Sequence, residues 1–223
     1  MNIFQQTILD HNETNDVMGI INWIQLESGK PLTHNSFVDI EFNDVGKFID
    51  VDLKSQSQLL LPESKSFKIT LSQQSWNNLP VEGHSKLASA VLSEFIINNM
   101  IESINNANKP TASSLMSGIA TVASTLRCAI DNSSNISIIV PKDYQFKVEE
   151  YYVYDKHKVY VVDGIDNPMV INGQCLIGVF QEPVIFHGID SQTNAHVMNV
   201  GVTCGCFINT LHTMDKPLIV EVV

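Results

Sequence analysis

The sequence predicts an α+β fold, and three stretches of the chain carry that prediction. Residues 37–53 alternate apolar and polar side chains on both sides of a short turn that contains Gly46, which is typical of a two-stranded β-ribbon. Residues 81–107 carry apolar residues at helical spacing, which predicts one long helix. Residues 151–223 contain short β-branched and aromatic runs punctuated by Gly and Pro, which predicts a mixed sheet.

The predicted ribbon has one apolar face and one acidic face. The apolar residues are Val38, Ile40, Phe42, Ile49, Val51 and Leu53, and they alternate with Asp39, Glu41, Asn43, Asp50 and Asp52. Burying one large apolar side chain is worth roughly 1.5–3 kcal/mol, and a lone ribbon is marginally stable in water. The apolar face therefore needs a cover, either from this chain's own core or from another copy of the chain.

The other elements follow in a simple order. An N-terminal arm, residues 1–35, contains the apolar patch Val17–Leu26, which is far too short to span a bilayer and is expected to be a buried anchor. A strand at Phe67–Leu71 precedes the long helix. A second helix is expected at Thr111–Ile130, capped by Thr111 or Ser113. Further strands are expected at residues 136–140, 151–162, 169–171, 176–180, 184–187, 197–208 and 218–223.

Charge and composition exclude several classes of function. The formal net charge is −11 and Arg127 is the only arginine, whereas a nucleic-acid-binding surface needs clustered Lys and Arg. Residues 1–16 contain three acidic residues and no Lys or Arg, so they do not resemble a secretory signal. The four cysteines are therefore expected to be reduced thiols of a cytosolic protein.

The sequence offers no convincing chemical site. The nearest metal motif is Cys204-Gly-Cys206 followed by His212, but two small buried side chains on a strand explain it better. The seven histidines are scattered along the chain, and phosphate-binding Gly-rich loops and a Gly-x-Ser-x-Gly elbow are absent from the sequence. We therefore predict no catalytic, cofactor-binding or metal-binding residues, and no enzyme.

The order of elements resembles the major capsid proteins of tailed bacteriophages, the Hong Kong 97 type fold. The resemblance rests on the ribbon at Phe37–Leu53, the strand and helix at Phe67–Ala107, the second helix at Thr111–Ile130 and the closing strands from Gly173 to Val223. It implies four segments. These are an N-terminal arm (1–35), an extended hairpin loop (36–66), a peripheral domain with the spine helix (67–150), and axial-domain and closing peripheral strands (151–223).

The resemblance implies a structural shell protein that assembles into the pentamers and hexamers of an icosahedral phage capsid. Its partners would be many copies of itself, with a separate scaffolding, portal or decoration protein as a further candidate. It would enclose DNA without sequence-specific binding, make no membrane contact, assemble in the host cytoplasm and reside in the virion. The apolar face of the ribbon would be the assembly interface. Two alternatives stay open: an encapsulin-like nanocompartment shell, and a small-molecule-binding or hydrolytic α+β domain with its site in the C-terminal sheet.

Overall fold

The computed structural model describes residues 17–26, 32–44, 49–79, 81–126, 136–146, 156–209 and 217–223; for residues 36–44, 49–55, 81–82 and 125–126 it describes the backbone alone. The helices are α1 (Gln73–Asn78), α2 (Val81–Asn106) and α3 (Leu115–Leu126), and a 3-10 turn spans Val17–Ile20. The strands are β1 (Asn22–Gln25), β2 (Leu32–Asp44), β3 (Ile49–Leu60), β4 (Glu63–Leu71), β5 (Thr111–Ala112), β6 (Ile136–Pro141), β7 (Lys158–Val162), β8 (Met169–Asn172), β9 (Leu176–Phe180), β10 (Val184–Ile189), β11 (His196–Ile208) and β12 (Ile219–Val222). This content is the α+β class that the sequence predicts.

Two five-stranded sheets and one separate ribbon make up the β-structure. The first sheet has the order β1-β9-β11-β10, with β4 also paired to β11. The second has the order β5-β12-β8-β6-β7, and β2 pairs with β3 in the ribbon. The long strand β11 organises the first sheet, because β4, β9 and β10 all pair with it antiparallel.

The central strands β6 and β8 of the second sheet are buried on both faces, which explains why their residues are almost all apolar. Alternate residues of β6 belong to different cores: Ile139 faces the core that contains α2, whereas Ile138 and Val140 face α3. The same alternation places Ile171 on the α2 side and Val170 on the α3 side. The sheet is thus the middle layer of a helix–sheet–helix stack.

Helix α2 is the spine of the molecule. Leu92, Ile96, Met100 and Ile104 are fully or almost fully buried, in one core with Met198 and Val200 of β11 and with residues of the second sheet. The segment Gly83–Asn106 is long and apolar enough to cross a membrane by length and composition alone, a test that core helices also pass. Here the apolar residues are needed because α2 packs against both sheets.

The N-terminal patch is a buried anchor, as its apolar sequence predicts. Val17 and Met18 are buried in the main core, and β1 pairs in parallel with β9. The side-chain amide of Asn22 donates to the carbonyls of Gly173 and Leu176, which fixes the register of β1.

We expect Gly178→Ala to destabilise the protein by loosening this anchor. A Cβ atom at Gly178 would lie 2.4 Å from Cε3 of Trp23 and 2.6 Å from Cγ2 of Ile21, so these side chains, or β1 with them, must move. Overpacking of this kind costs roughly 1–3 kcal/mol, measurable by urea unfolding. Gly201→Ala is the matched control, because its Cβ would meet only the Val184 carbonyl oxygen at 3.7 Å. Equal stability of the two variants would contradict the prediction.

The structure corrects the start of the second helix. α3 begins at Leu115 rather than Thr111, because Thr111 and Ala112 pair in parallel with Glu221 and Val222 as β5. The N-cap is Ser114, neither Thr111 nor Ser113: its hydroxyl accepts from the Ser117 N–H at 3.2 Å, and the Ser117 hydroxyl accepts from the Ser114 N–H at 3.2 Å. The predicted end of this helix, residues 127–130, lies outside the described residues, as do residues 151–155 of one predicted strand.

Candidate assembly surfaces

The ribbon is fixed to the body of the protein at its base. Leu60 is fully buried, and it clusters with Ile177 and Val179 of β9, with Leu32 packed alongside. The side-chain amide of Gln58 also donates to the carbonyl of Ile208 at 3.1 Å. These contacts hold the β2 and β3 ends that adjoin the first sheet, so the ribbon has a defined root.

Beyond its root the ribbon is a two-stranded ladder that pairs with no other described strand. Its register places Ile40 opposite Leu53, Phe42 opposite Val51 and Asp44 opposite Ile49. Directly opposed positions lie on the same side of an antiparallel ladder. Five of the six predicted interface residues, namely Ile40, Phe42, Ile49, Val51 and Leu53, therefore occupy one side.

The remaining predicted interface residue, Val38, falls at an irregularity. The register shifts between Phe37 and Asp39, which leaves Val38 without an opposite partner. Such a bulge bends a strand and increases its twist. The strict alternation predicted from the sequence is thus broken at Val38, and the assembly role of all six residues stays a prediction.

The acidic side of the ribbon is internally unfavourable. Glu41 lies directly opposite Asp52, a like-charge pair, whereas Asp39 lies opposite Lys54. Like charges at opposed positions destabilise a ladder. Together with the absence of any described strand beside the ribbon, this indicates that the ribbon is not optimised for stability as an isolated element.

Strand β10 is the most exposed apolar edge among the described residues. Its outer edge is open, because β10 pairs only with β11 in the described part of the chain. Val184, Phe186 and Ile189 are 52%, 64% and 63% exposed. They are three of the large apolar side chains that the described structure leaves uncovered, and they all lie on one six-residue strand.

An aromatic cluster, absent from the sequence-based interpretation, lies where α1, α2, β10 and β11 meet. The indole of Trp76 stacks on the rings of His84 and His196, with centroid distances of 4.1 and 4.5 Å. His187 approaches edge-on at 5.5 Å, and Nε2 of His196 is hydrogen-bonded to the side-chain Oε1 of Gln73 at 3.0 Å. Three histidines that are scattered in the sequence therefore meet in space. Residues 84, 187 and 196 have no short-range spacing that could have indicated this.

A polar crevice of about 390 Å³ lies where α2 passes β4 and β11. The side chains that line it include Glu63, Lys65, Glu102 and Ser103, with Cys204 and Cys206. The Ser103 hydroxyl donates to the Cys206 carbonyl at 2.5 Å. Burial raises the pKa of Cys204 and of Cys206 to about 12, so both thiols stay protonated and are poor nucleophiles or metal ligands.

Within the described ranges, no three His, Cys, Asp or Glu side chains are grouped so that they could hold a metal ion. Cys204 and Cys206 are buried small side chains of β11, as the sequence-based interpretation has it. His212, the third residue of the weak metal motif, lies outside the described residues.

Similarity to known proteins is visible in structure and not in sequence. No family model matches the chain, and no curated protein matches it. The capsid of an empty GTA particle superposes with a TM-score of 0.63 at 9% identity, covering 94% of this chain and 89% of the other. A virus-like particle from Pyrococcus furiosus gives 0.57 at 13% identity, covering 98% and 96%. The satellite phage P4 procapsid, which includes the size determination (Sid) protein, gives 0.54 at 9% identity, covering 98% of each chain.

The chain has the Hong Kong 97 capsid fold. The match extends over nearly the full length of both chains, so it includes the two sheets, the spine helix and the ribbon and is not limited to one domain. The capsid fold also confirms the element order predicted from the sequence: ribbon, strand, spine helix, second helix and mixed sheet. At identities of 13% and below, the similarity establishes the fold alone.

Proposed function

We propose that this chain is the structural shell subunit of an icosahedral phage capsid, assembling through pentamers and hexamers around the genome. The observation that carries the proposal is the ribbon: it is rooted on the first sheet, its remaining length pairs with no other described strand, and its register gathers apolar residues on one side. Such an element gains stability when another copy covers it. The structural match to capsid and virus-like-particle subunits supports the same role.

The role is mechanical and not catalytic. The crevice beside α2 holds a serine hydroxyl already engaged with a backbone carbonyl and two thiols whose pKa is raised, so it offers no activated nucleophile. This argues against the hydrolytic alternative. A net charge of −11 with a single arginine suits a container that encloses DNA without gripping it.

Imaging of the purified protein tests this proposal directly. We expect negative-stain electron microscopy to show closed particles of uniform diameter, or rings of capsomer size when the protein is expressed without other phage components. A chain that stays monomeric by sizing chromatography and light scattering, alone and after concentration, would contradict the proposal.

The nanocompartment alternative shares the fold and differs in what the shell contains. The similarity to a virus-like particle over 98% of this chain agrees with a nanocompartment shell as well as with a phage capsid. Particles isolated from the native source would contain nuclease-protected DNA if the shell is a phage capsid. They would contain a co-purifying enzyme and no genome if it is a compartment.

A further inference from the structure

The edge of β10 lacks the devices that normally protect a sheet edge. The other edge strands of the two sheets are charged or short: β4 carries Glu63, Lys65 and Lys68, β7 carries Lys158, β1 has four residues and β5 has two. β10 has six residues, Val-Ile-Phe-His-Gly-Ile, with no acidic residue, no lysine and no proline. Natural proteins blunt free edges with charge, proline, bulges or short length, because unpaired edges recruit other strands. The absence of charge and proline from β10 indicates that its free edge pairs with another strand in the assembled protein.

We propose that β10 pairs antiparallel with β10 of a second copy of this chain, about a twofold axis through Phe186. The inference rests on the proposed function, since it assigns a second self-association surface to the shell subunit, separate from the ribbon. The pairing would join β4, β11 and β10 of both copies into one continuous six-stranded sheet.

The strand is complementary to itself in this register. Val184, Phe186 and Gly188 lie on the face turned away from α2, because their neighbours Ile185 and His187 pair with Val200 and Met198 of the core. Pairing about Phe186 places the two Phe186 rings opposite each other and Val184 opposite Gly188 of the partner subunit. A Cβ atom at Gly188 would meet nothing within 4 Å, so space exists there for the valine.

The composition of β10 also suits a second copy as the occupant. Within the strand the register about Phe186 opposes no two charged side chains, because β10 has no acidic residue and no lysine, and aromatic pairs at opposed positions stabilise a ladder. Glu182 and Asp190 of the partner subunit would come level only if the pairing continued beyond the two ends of β10. Shifting the centre to His187 would instead oppose Val184 with Asp190. That carboxylate is already committed to its own turn, where it accepts from the N–H groups of Gln192 and Thr193.

The contact is small by the standards of a stable dimer. A specific interface usually buries about 800 Å² on each partner, contributed by about 20–30 residues, whereas β10 offers six residues. A single β10 pair would therefore be weak on its own and would act through repetition, because linked contacts in one assembly reinforce each other. The proposal accordingly places it between subunits that other contacts already hold together.

Disulfide trapping with Phe186→Cys tests the pairing. Opposed residues of an antiparallel pair have Cα atoms about 4.5–5.5 Å apart, which suits a disulfide. We expect mild oxidation to give a covalent dimer, with a 186–186 linkage identified by mass spectrometry. Phe186 is 64% exposed, so the variant should fold as the wild type does, checked by circular dichroism.

Lys68→Cys is the matched control, because Lys68 lies on the same face and in the same cross-strand row through Asn199. Two copies of residue 68 would be five strand spacings apart, about 24 Å, and should not crosslink. Both variants are oxidised as particles and as concentrated subunits. Particles that form without enrichment of the 186–186 linkage over the control overturn the β10 pairing and leave the shell function standing. A 186–186 linkage in a preparation that contains no particles would support the β10 pairing and contradict the shell function. Absence of the linkage from both the particles and the concentrated subunits would also overturn the pairing.

Discussion

Ile49→Asp is expected to abolish particle formation and to leave a folded subunit. Ile49 is opposite Asp44 in the part of the ribbon that pairs with no described strand outside the ribbon. If the apolar side is covered by another copy, the change removes roughly 1.5–3 kcal/mol of burial per contact and adds the cost of desolvating a carboxylate. A loss of about 1.4 kcal/mol is already tenfold in each association constant, and a shell repeats the contact in every subunit.

The measurement is the fraction of protein in particles, by sedimentation and negative-stain imaging, beside a urea unfolding curve. Asp50→Asn is the matched control, because Asp50 lies opposite Asn43 on the other side of the same ladder. It should assemble as the wild type does. Full-size particles from the Ile49 variant would show that this side of the ribbon is not an assembly surface. An unfolded variant would show instead that the ribbon's apolar side belongs to the subunit's own core.

Local patterns made much of the fold predictable from the sequence. The ribbon carries a period-two alternation, α2 a long stretch rich in apolar residues and β6 a short apolar run, and each element forms around the residues that indicate it. Their order was enough to point to the capsid fold, even though the identity to the solved structures is 13% or less. The order of elements can match at such low identity because it depends on the pattern of apolar and polar residues, and many different residues give the same pattern.

Features that depend on distant partners could not be predicted. The two residues of β5 form a strand only because β12, more than a hundred residues later, pairs with them. The parallel pairing of β1 with β9 and the meeting of His84, His187 and His196 around Trp76 likewise arise from tertiary structure. The bulge at Val38 is a property of the register between two strands, which periodicity within one strand does not reveal. The candidate interface is thus predictable in its residue types and not in its local geometry.

Leu92→Ala is expected to have the largest effect on stability, in contrast to the assembly effect at Ile49. Leu92 is fully buried in the main core, on the helix that packs against both sheets. Removing its side-chain carbons leaves a cavity that rigid β-sheet neighbours fill poorly, and Leu→Ala changes of this kind cost roughly 3–5 kcal/mol. That is a large part of a typical total stability of about 5–15 kcal/mol. Urea unfolding should show a lower midpoint with an unchanged slope.

Asn98→Ala is the control for the helix itself, because Asn98 is an exposed residue of the same helix and alanine is the better helix former. Its stability should lie within about 0.5 kcal/mol of the wild type. A loss below about 1 kcal/mol for Leu92→Ala would mean that the core can collapse around the missing atoms and that α2 is not a rigid spine. If Leu92→Ala loses stability and still assembles in the cold, while Ile49→Asp stays stable and does not assemble, then the two changes separate what folds the subunit from what joins the subunits.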